Sequence, residues 1–362
     1  MTDQVLLQAA VPVFTVDGSA KGELARDLTR LDIDEDTAGL RRLRARFLAW
    51  GPRDDSDTEG RLYLDGRTLD FGKGMKVSLG PSGSDRTLFD GAITAIEVDL
   101  EEHSPGEVIV FAEDRLMDLR MTRRSRTYEK ASDADIARTI AGDHNLTPEV
   151  SAAGPTYDLV QQWNMSDLAF LRERARLIQA EVWVSGRTLY FQTRPNRQAT
   201  AVTLTLGIDL LDVQIRADLA HQRTSVKVSG YDAQARDLIE EEAGDDAVKA
   251  EIAQGRSGAA TLSQAFGDRV SFRVREAPLT ADEARAWARA EMLRRGRQFV
   301  TATGTALGVP DLTVGSQLDL QDVGAPFEGG GYVVTRMCHS YDIRVGHRTR
   351  FEAERAWIGE LR

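Results

Sequence analysis

Alternation of apolar and polar residues with a period of two dominates this chain and limits what it can fold into. Ile96, Val98 and Leu100 alternate with Glu97 and Asp99; Val202, Leu204 and Leu206 alternate with Thr203 and Thr205. Val270, Phe272 and Val274 alternate with Ser271, Arg273 and Arg275. Each pattern sends apolar side chains to one face and polar ones to the other, as half-buried antiparallel strands require. Glycines such as Gly66, Gly186 and Gly230 supply turn positions between such runs. The expected class is mainly β.

Three helical stretches interrupt the strands. Ser132 followed by Asp135 is close to a capping box, with Ile136 and Ile140 then sharing one face. Ser166 is placed to cap a second helix carrying the stripe Leu168, Leu171, Ala175 and Ile178. Thr280 and Glu283 fit a full capping box before Ala284, Trp287, Ala288 and Met292. The sequence divides into a strand-rich block at 1–118, a small α/β block at 119–198, and a second strand-rich block at 199–362. That last block holds a helical and acidic insertion over 232–266 and a helix over 281–297. The acidic stretch Asp232–Glu251, with Glu240, Glu241 and Glu242, reads as a solvated face or mobile insertion.

An internal echo bears on the architecture. Gly74–Leu79 and Gly315–Leu320 each lead from a glycine into a short alternating strand. Each is followed by an aromatic-acid-glycine triplet, Phe89-Asp90-Gly91 or Phe327-Glu328-Gly329, and then by a second strand. The echo predicts two copies of a similar β-barrel or sheet unit.

Chemistry-bearing motifs are missing from the sequence. The histidines His103, His144, His221, His339 and His347 form no metal spacing, and the single cysteine, Cys338, makes neither a C-x-x-C pair nor an intrachain disulfide. Cys338 and His339 are adjacent on an expected strand, so their side chains point to opposite faces. Gly72-Lys73-Gly74 begins like a dinucleotide loop, but it leads into a strand and lacks the third glycine. Gly80-Pro81-Ser82-Gly83-Ser84 ends in serine where a nucleophile elbow needs glycine. No catalytic, cofactor or metal residues are assigned. The balance of 46 basic against 57 acidic residues, net −11, argues against a general nucleic-acid binder. No apolar run reaches the ~20 residues of a membrane span, and the first residues lack a secretory signal pattern, so synthesis in the cytoplasm without membrane insertion is expected.

Several ordered segments together resemble a known family. They are Phe89–Ile96, Val110–Leu119, Arg124–Tyr128, Gln162–Leu168, Thr224–Gly230, Gly308–Leu312, Gly331–Arg336 and His339–Asp342. In order and spacing they resemble the late control protein D family of contractile phage tails, which is similar to the hub half of the type VI secretion VgrG spike. The family-matching positions are Phe89, Gly91, Asp114, Tyr128, Gln162, Asn164, Asp167, Gly315, Tyr332 and His339. The resemblance implies two tube-like antiparallel β-barrels around a small helix-containing domain. It also implies a homotrimer of pseudo-sixfold symmetry joining a hexameric inner tube to a separate trimeric spike, within a baseplate of a phage tail or injection particle. Trp357 and Ile358, near the chain end, are candidates for a spike contact. Two other readings stay open: a tail-associated cell-wall hydrolase using the acidic stretch, and a β-module that binds a surface ligand.

Overall fold

The computed structural model describes residues 11–52, 58–80, 86–198, 200–233, 235–273 and 277–360. Residues 1–10 of the first block, 81–84 of the glycine-serine loop, Val274-Arg275 of one alternating run and the last two residues lie outside these.

The first block forms Val13–Val16 (β1), Ser19–Ala20 (β2), Leu28–Asp36 (β3), Arg42–Leu48 (β4), Trp50–Pro52 (β5), Glu59–Arg61 (β6), Gly74–Leu79 (β7), Arg86–Asp99 (β8) and Glu107–Glu113 (β9), with a short helix α1 at Gly22–Asp27. The middle block forms Arg123–Ser132 (β10), helix α2 at Asp133–Asp143, Thr147–Ser151 (β11), Thr156–Ser166 (β12), helix α3 at Asp167–Ile178, Ala180–Ser185 (β13) and Thr188–Thr193 (β14). The last block begins with Ala201–Thr205 (β15), Leu210–Ala217 (β16), Ser225–Asp232 (β17), Asp237–Gly244 (β18) and Arg256–Ser257 (β19). Helix α4 at Gly258–Phe266, Val270–Arg273 (β20) and helix α5 at Ala281–Arg297 follow. The chain ends on Val300–Leu307 (β21), Gln317–Gln321 (β22), Gly329–Asp342 (β23), Gly346–Arg355 (β24) and Trp357–Ile358 (β25).

Local chemistry explains the helix starts. Ser132 Oγ accepts the Asp135 N–H at 3.2 Å and the Asp135 carboxylate takes the Ser132 N–H at 3.1 Å, a complete capping box. Ser166 Oγ caps α3 through the Ala169 N–H at 3.2 Å. At α5 only half the expected box forms: Thr280 Oγ accepts from Glu283, whose carboxylate reaches one residue further back, to the Leu279 N–H at 2.8 Å.

Among the described residues no closed sheet is present, so the expected pair of tube-like β-barrels is not seen. Among the described residues, thirteen strands of the first and last blocks form one sheet in the order β16-β21-β24-β23-β3-β4-β9-β8-β7-β1-β2, with β15 and β22 branching from β23, while β5-β6, β18-β17-β20 and β19-β25 form small sheets of their own. That order is an open path and does not return to its start. The reason lies in β23, 14 residues long: Gly329–Val333 pairs with β22, while Arg336–Asp342 pairs with β3 of the first block. The edge that a closed unit would seal against itself is instead shared between the blocks.

The internal echo is real at the level of the backbone. The order β3-β4-β9-β8-β7-β1 in the first half is matched by β16-β21-β24-β23-β22-β15 in the second. Two irregularities recur at matching places. Registers shift between Ile93 and Ala95 opposite β9, and between Val334 and Arg336 opposite β24. They shift again between Leu28 and Arg30, and between Leu210 and Asp212. The skipped residues of the first pair are both threonines, whose hydroxyls reach back to the facing strand: Thr94 to Phe111 O at 3.4 Å and Thr335 to Glu352 O at 3.2 Å. A β-bulge bends its strand and sharpens the local twist, so a shared bulge is a shared shape. One pairing differs, since β1 runs antiparallel to β7 whereas β15 runs parallel to β22. The aromatic-acid-glycine triplets are not what aligns. With Glu113 opposite Ala92 and Glu354 opposite Val333, Gly91 corresponds to Tyr332 and not to Gly329.

Three apolar cores underlie this. One fills the first half, around Phe14, Phe47, Val77, Phe89 and Val110. Another fills the second half, around Leu204, Phe299, Leu318, Tyr332 and Phe351. The third joins the middle block to the 225–297 segment, packing Ile136, Phe170 and Phe191 with Val226, Trp287 and Met292. Of the acidic stretch, Asp237–Gly244 forms strand β18, with Glu240 and Glu242 on its exposed face, so a solvated face describes that segment better than a mobile insertion. Ile239 and Ala243 of β18 are buried, Glu241 pairs with Arg285 of α5, and Glu240 and Glu242 flank Lys227.

Candidate functional site

Where the three blocks meet, six charged side chains of alternating sign form a chain. Glu35 on β3 takes Arg41 Nε at 2.7 Å, and its other oxygen lies 3.8 Å from Arg197. Arg197 meets Glu181 on β13 at 2.7 Å; Glu181 lies 3.6 Å from Arg194; Arg194 meets Glu354 on β24 at 2.7 Å. The side chains from Glu35 to Glu354 are only 3–13% exposed, so each charge depends on its neighbours for compensation. Arg197 also stacks on Trp183 at 4.1 Å, and Trp183 stacks on Tyr190 at 4.8 Å. Two glycines make room at this junction, one for a facing backbone and one for the Arg197 side chain. A Cβ on Gly39 would lie 1.6 Å from Val182 O, and one on Gly315 would lie 2.3 Å from Arg197 Nε. Beside the ion pairs opens a cleft of about 620 Å³ whose wall includes Asp36, Arg172, Arg176, Arg294 and Glu352. Walls charged in both signs suit a wet polar contact more than an apolar ligand.

The positions singled out by family resemblance fall into three separate places. Phe89, Gly91 and Asp114 belong to the first half: Phe89 is buried in its core, and a Cβ on Gly91 would lie 2.2 Å from Glu113 O. Asp114 accepts the backbone N–H groups of Arg41 and Leu116, both at 3.0 Å, and burial pushes its pKa up to about 7. Tyr128, Gln162, Asn164 and Asp167 cluster in the middle block. Tyr128 stacks on Phe170 at 5.8 Å; Gln162 donates to Met165 O at 3.0 Å and to Asp167 at 2.9 Å. Asn164 has a left-handed backbone (φ 45°), with its N–H on Ser125 Oγ at 3.2 Å. Asp167 lies 2.8 Å from His144 Nε2 and 3.0 Å from Arg124. Gly315, Tyr332 and His339 sit in the second half, where the Tyr332 hydroxyl donates to Phe327 O at 2.8 Å.

These groups hold structure together and do not converge on a reacting centre. His339 contacts Leu312 O at 3.0 Å, Thr349 at 3.1 Å and His347 at 3.2 Å, all buried. Burial, with the neighbouring His347, holds the His339 pKa well below the usual histidine range, and burial takes His347 down to about 4. Cys338 is buried on the opposite face of β23, beside Arg350, its thiol pushed up to about 11 by that burial, opposite to the shift of a reactive thiolate. No three His, Cys, Asp or Glu side chains are grouped to hold a metal among the described residues. Nor is any helix there long and apolar enough to cross a membrane. Trp357 and Ile358, the candidate spike contacts, are both buried in β25 and paired with β19.

The sequence did not point to Arg355, which is 1% exposed. Its guanidinium lies between Tyr332 at 4.3 Å and Trp357 at 4.0 Å. It donates to the backbone carbonyls of Pro326, Phe327, Glu328 and Trp357. A strand-terminal arginine carries no signal of burial in the sequence.

This geometry has relatives. The 43 kDa tail protein of prophage MuSo2 from Shewanella oneidensis superposes with a TM-score of 0.67 at 14% identity, over 96% of this chain and 99% of that one. A tail protein from Neisseria meningitidis MC58 gives 0.65 at 12% identity, covering 96% of each. An Escherichia coli protein, described as a type VI secretion component structurally similar to bacteriophage T4 tail proteins gp27 and gp5, gives 0.57 at 12% identity over 93% of this chain and 76% of that one. At such identities the likeness is one of fold alone, shared with these tail proteins. No curated protein matches by sequence. The family described as the Alg8 N-terminal domain matches residues 55–342, about four-fifths of the sequence, and the chain belongs to that family.

Proposed function

We propose that this protein is a structural hub of a contractile tail or related injection particle. Three copies surround one axis, and each contributes two equivalent strand units, from 1–118 and 199–362, with the 119–198 α/β domain between them. Three chains of two units give six similar positions, which matches a sixfold inner tube on one side and a threefold separate spike on the other. Its work is to hold other baseplate proteins in register, with no bond chemistry. The observation that carries this reading is the duplicated strand order with its two repeated bulges. A chain holding two copies of one unit can present a doubled symmetry to its neighbours, which a single-unit chain cannot. The tail-protein fold supports the same reading. Native mass spectrometry of the purified chain across a concentration series is expected to show a trimer. A monomer at every concentration, with or without a candidate spike protein, would overturn it.

A further inference from the structure

Inside one chain, the one strand pair that joins the two halves among the described residues sets β3 antiparallel to the later part of β23, with Cys338 opposite Asp34, His339 opposite Ile33 and Tyr341 opposite Leu31. By the repeat, β16 is the counterpart of β3 and β8 is the counterpart of β23. The matching edges are open. Among the described residues β16 is an end of the sheet, paired along its length with β21, with one isolated bridge from Leu210 to Leu206. On its β7 side, β8 is paired only as far as Ala92 and Ile93. Beyond that point Val98 and Leu100 are 40% and 48% exposed, although their alternation is that of a buried strand face.

The registers carry the β3–β23 pairing over residue by residue. Arg216 corresponds to Asp34 and Ile215 to Ile33, from their places opposite β21 and β4. Glu97 corresponds to Cys338 and Val98 to His339, from their places opposite β9 and β24. We propose that β16 of one copy pairs antiparallel with the outer part of β8 of a second copy, in the register Glu97 opposite Arg216, Val98 opposite Ile215 and Leu100 opposite Val213. This repeats between chains the junction already made within one. It sets apolar residues against the exposed Val98 and Leu100, and an arginine against Glu97; in the single chain Arg216 pairs with its neighbour Asp218, at 2.9 Å. An open strand edge presents unpaired N–H and C=O groups that template such pairing. The contact is head-to-tail, so it propagates until a ring closes. It rests on the hub reading only in supposing that copies associate.

Directly opposed residues in an antiparallel pair have Cα atoms about 4.5–5.5 Å apart, within the range a disulfide spans. In a Cys338→Ser background, the double variant Glu97→Cys/Arg216→Cys is expected to form disulfide-linked multimers on a non-reducing gel. Glu97→Cys/Asp212→Cys, four residues out of register, should give none. Asp34→Cys with native Cys338 is the positive control and should close within one chain. Val98→Lys/Leu100→Lys alters side chains exposed in the single chain, so its circular dichroism should stay native while association weakens at least tenfold. Assembly without the 97–216 bond, a bond formed within one chain, or undiminished association of the lysine variant would overturn the proposed edge and leave the hub reading standing. Failure to assemble at all would overturn both.

Discussion

The two halves of the sheet share a backbone plan but anchor it with opposite chemistry. At the end of β9 the residue after Glu113 is Asp114, a buried acid that gathers backbone N–H groups. At the matching place, after Glu354, stands Arg355, a buried base that gathers backbone carbonyls. The halves differ again at the facing strand, where His339 and His347 in the second half correspond to Val98 and Gly106 in the first. The path of the chain was kept while the side chains that hold it were replaced. What recurs is where strands bend and which strands pair, because these fix the surface offered to neighbours; any side chain that satisfies the local backbone groups will serve.

Substitutions can break this comparison one half at a time. The largest effect is expected for Arg355→Leu, which leaves carbonyls of the 326–328 turn and Trp357 without their donor; about 3–5 kcal/mol of stability should be lost. The urea midpoint, followed by the near-ultraviolet signal of the tryptophans, measures it, and a loss below about 1 kcal/mol would show that the buried arginine is dispensable.

The pH response should then separate the halves. Asp114 has a folded pKa raised to about 7, against about 3.9 unfolded, so its contribution is full below pH 4 and is lost as the pH rises through 7. The shift corresponds to about 4 kcal/mol, and Asp114→Asn should flatten that slope. His347 behaves in the opposite way. Its folded pKa is lowered to about 4 against about 6.5 unfolded, so its contribution, about 3 kcal/mol, is present above pH 6.5 and lost as the pH falls toward 4. Hydrogen exchange at pH 5 and pH 7 should therefore show the β23–β24 amides loosening in acid while β9 tightens. Parallel behaviour of the two ladders would refute the contrast.

The smallest effect tests what the halves share. Thr94→Val and Thr335→Val each remove one bulge hydroxyl bond and should each cost about 0.5–1 kcal/mol, nearly equal in the two halves. A clear inequality would mean that the two bulges are alike in shape but not in support.

Much of the local architecture was legible in the sequence. Period-two alternation located strands, and Ser132, Ser166 and Thr280 located the helix starts, because caps and face patterning are local physics. The doubling was legible too, though through the wrong residues, since Phe89-Asp90-Gly91 and Phe327-Glu328-Gly329 occupy different registers. Closure of each unit into a barrel was expected and is absent, because the pairing of β3 with β23 depends on residues some 300 positions apart. The junction chain from Glu35 to Glu354 was hidden for the same reason: its members look like ordinary surface charges until three blocks bring them together.

That distance has a consequence in time. Residues 30–36 of β3 find their partners at 336–342, a separation of 342 − 30 = 312 at one end of the ladder and 336 − 36 = 300 at the other. At about 5–20 residues per second, a ribosome needs roughly 15–60 s to deliver the second strand after the first. Throughout that interval the outer edge of β3 has no partner from its own chain. Arg30, Asp32, Asp34 and Asp36, alternating along it, are the kind of charges that keep a waiting edge from pairing with the wrong strand.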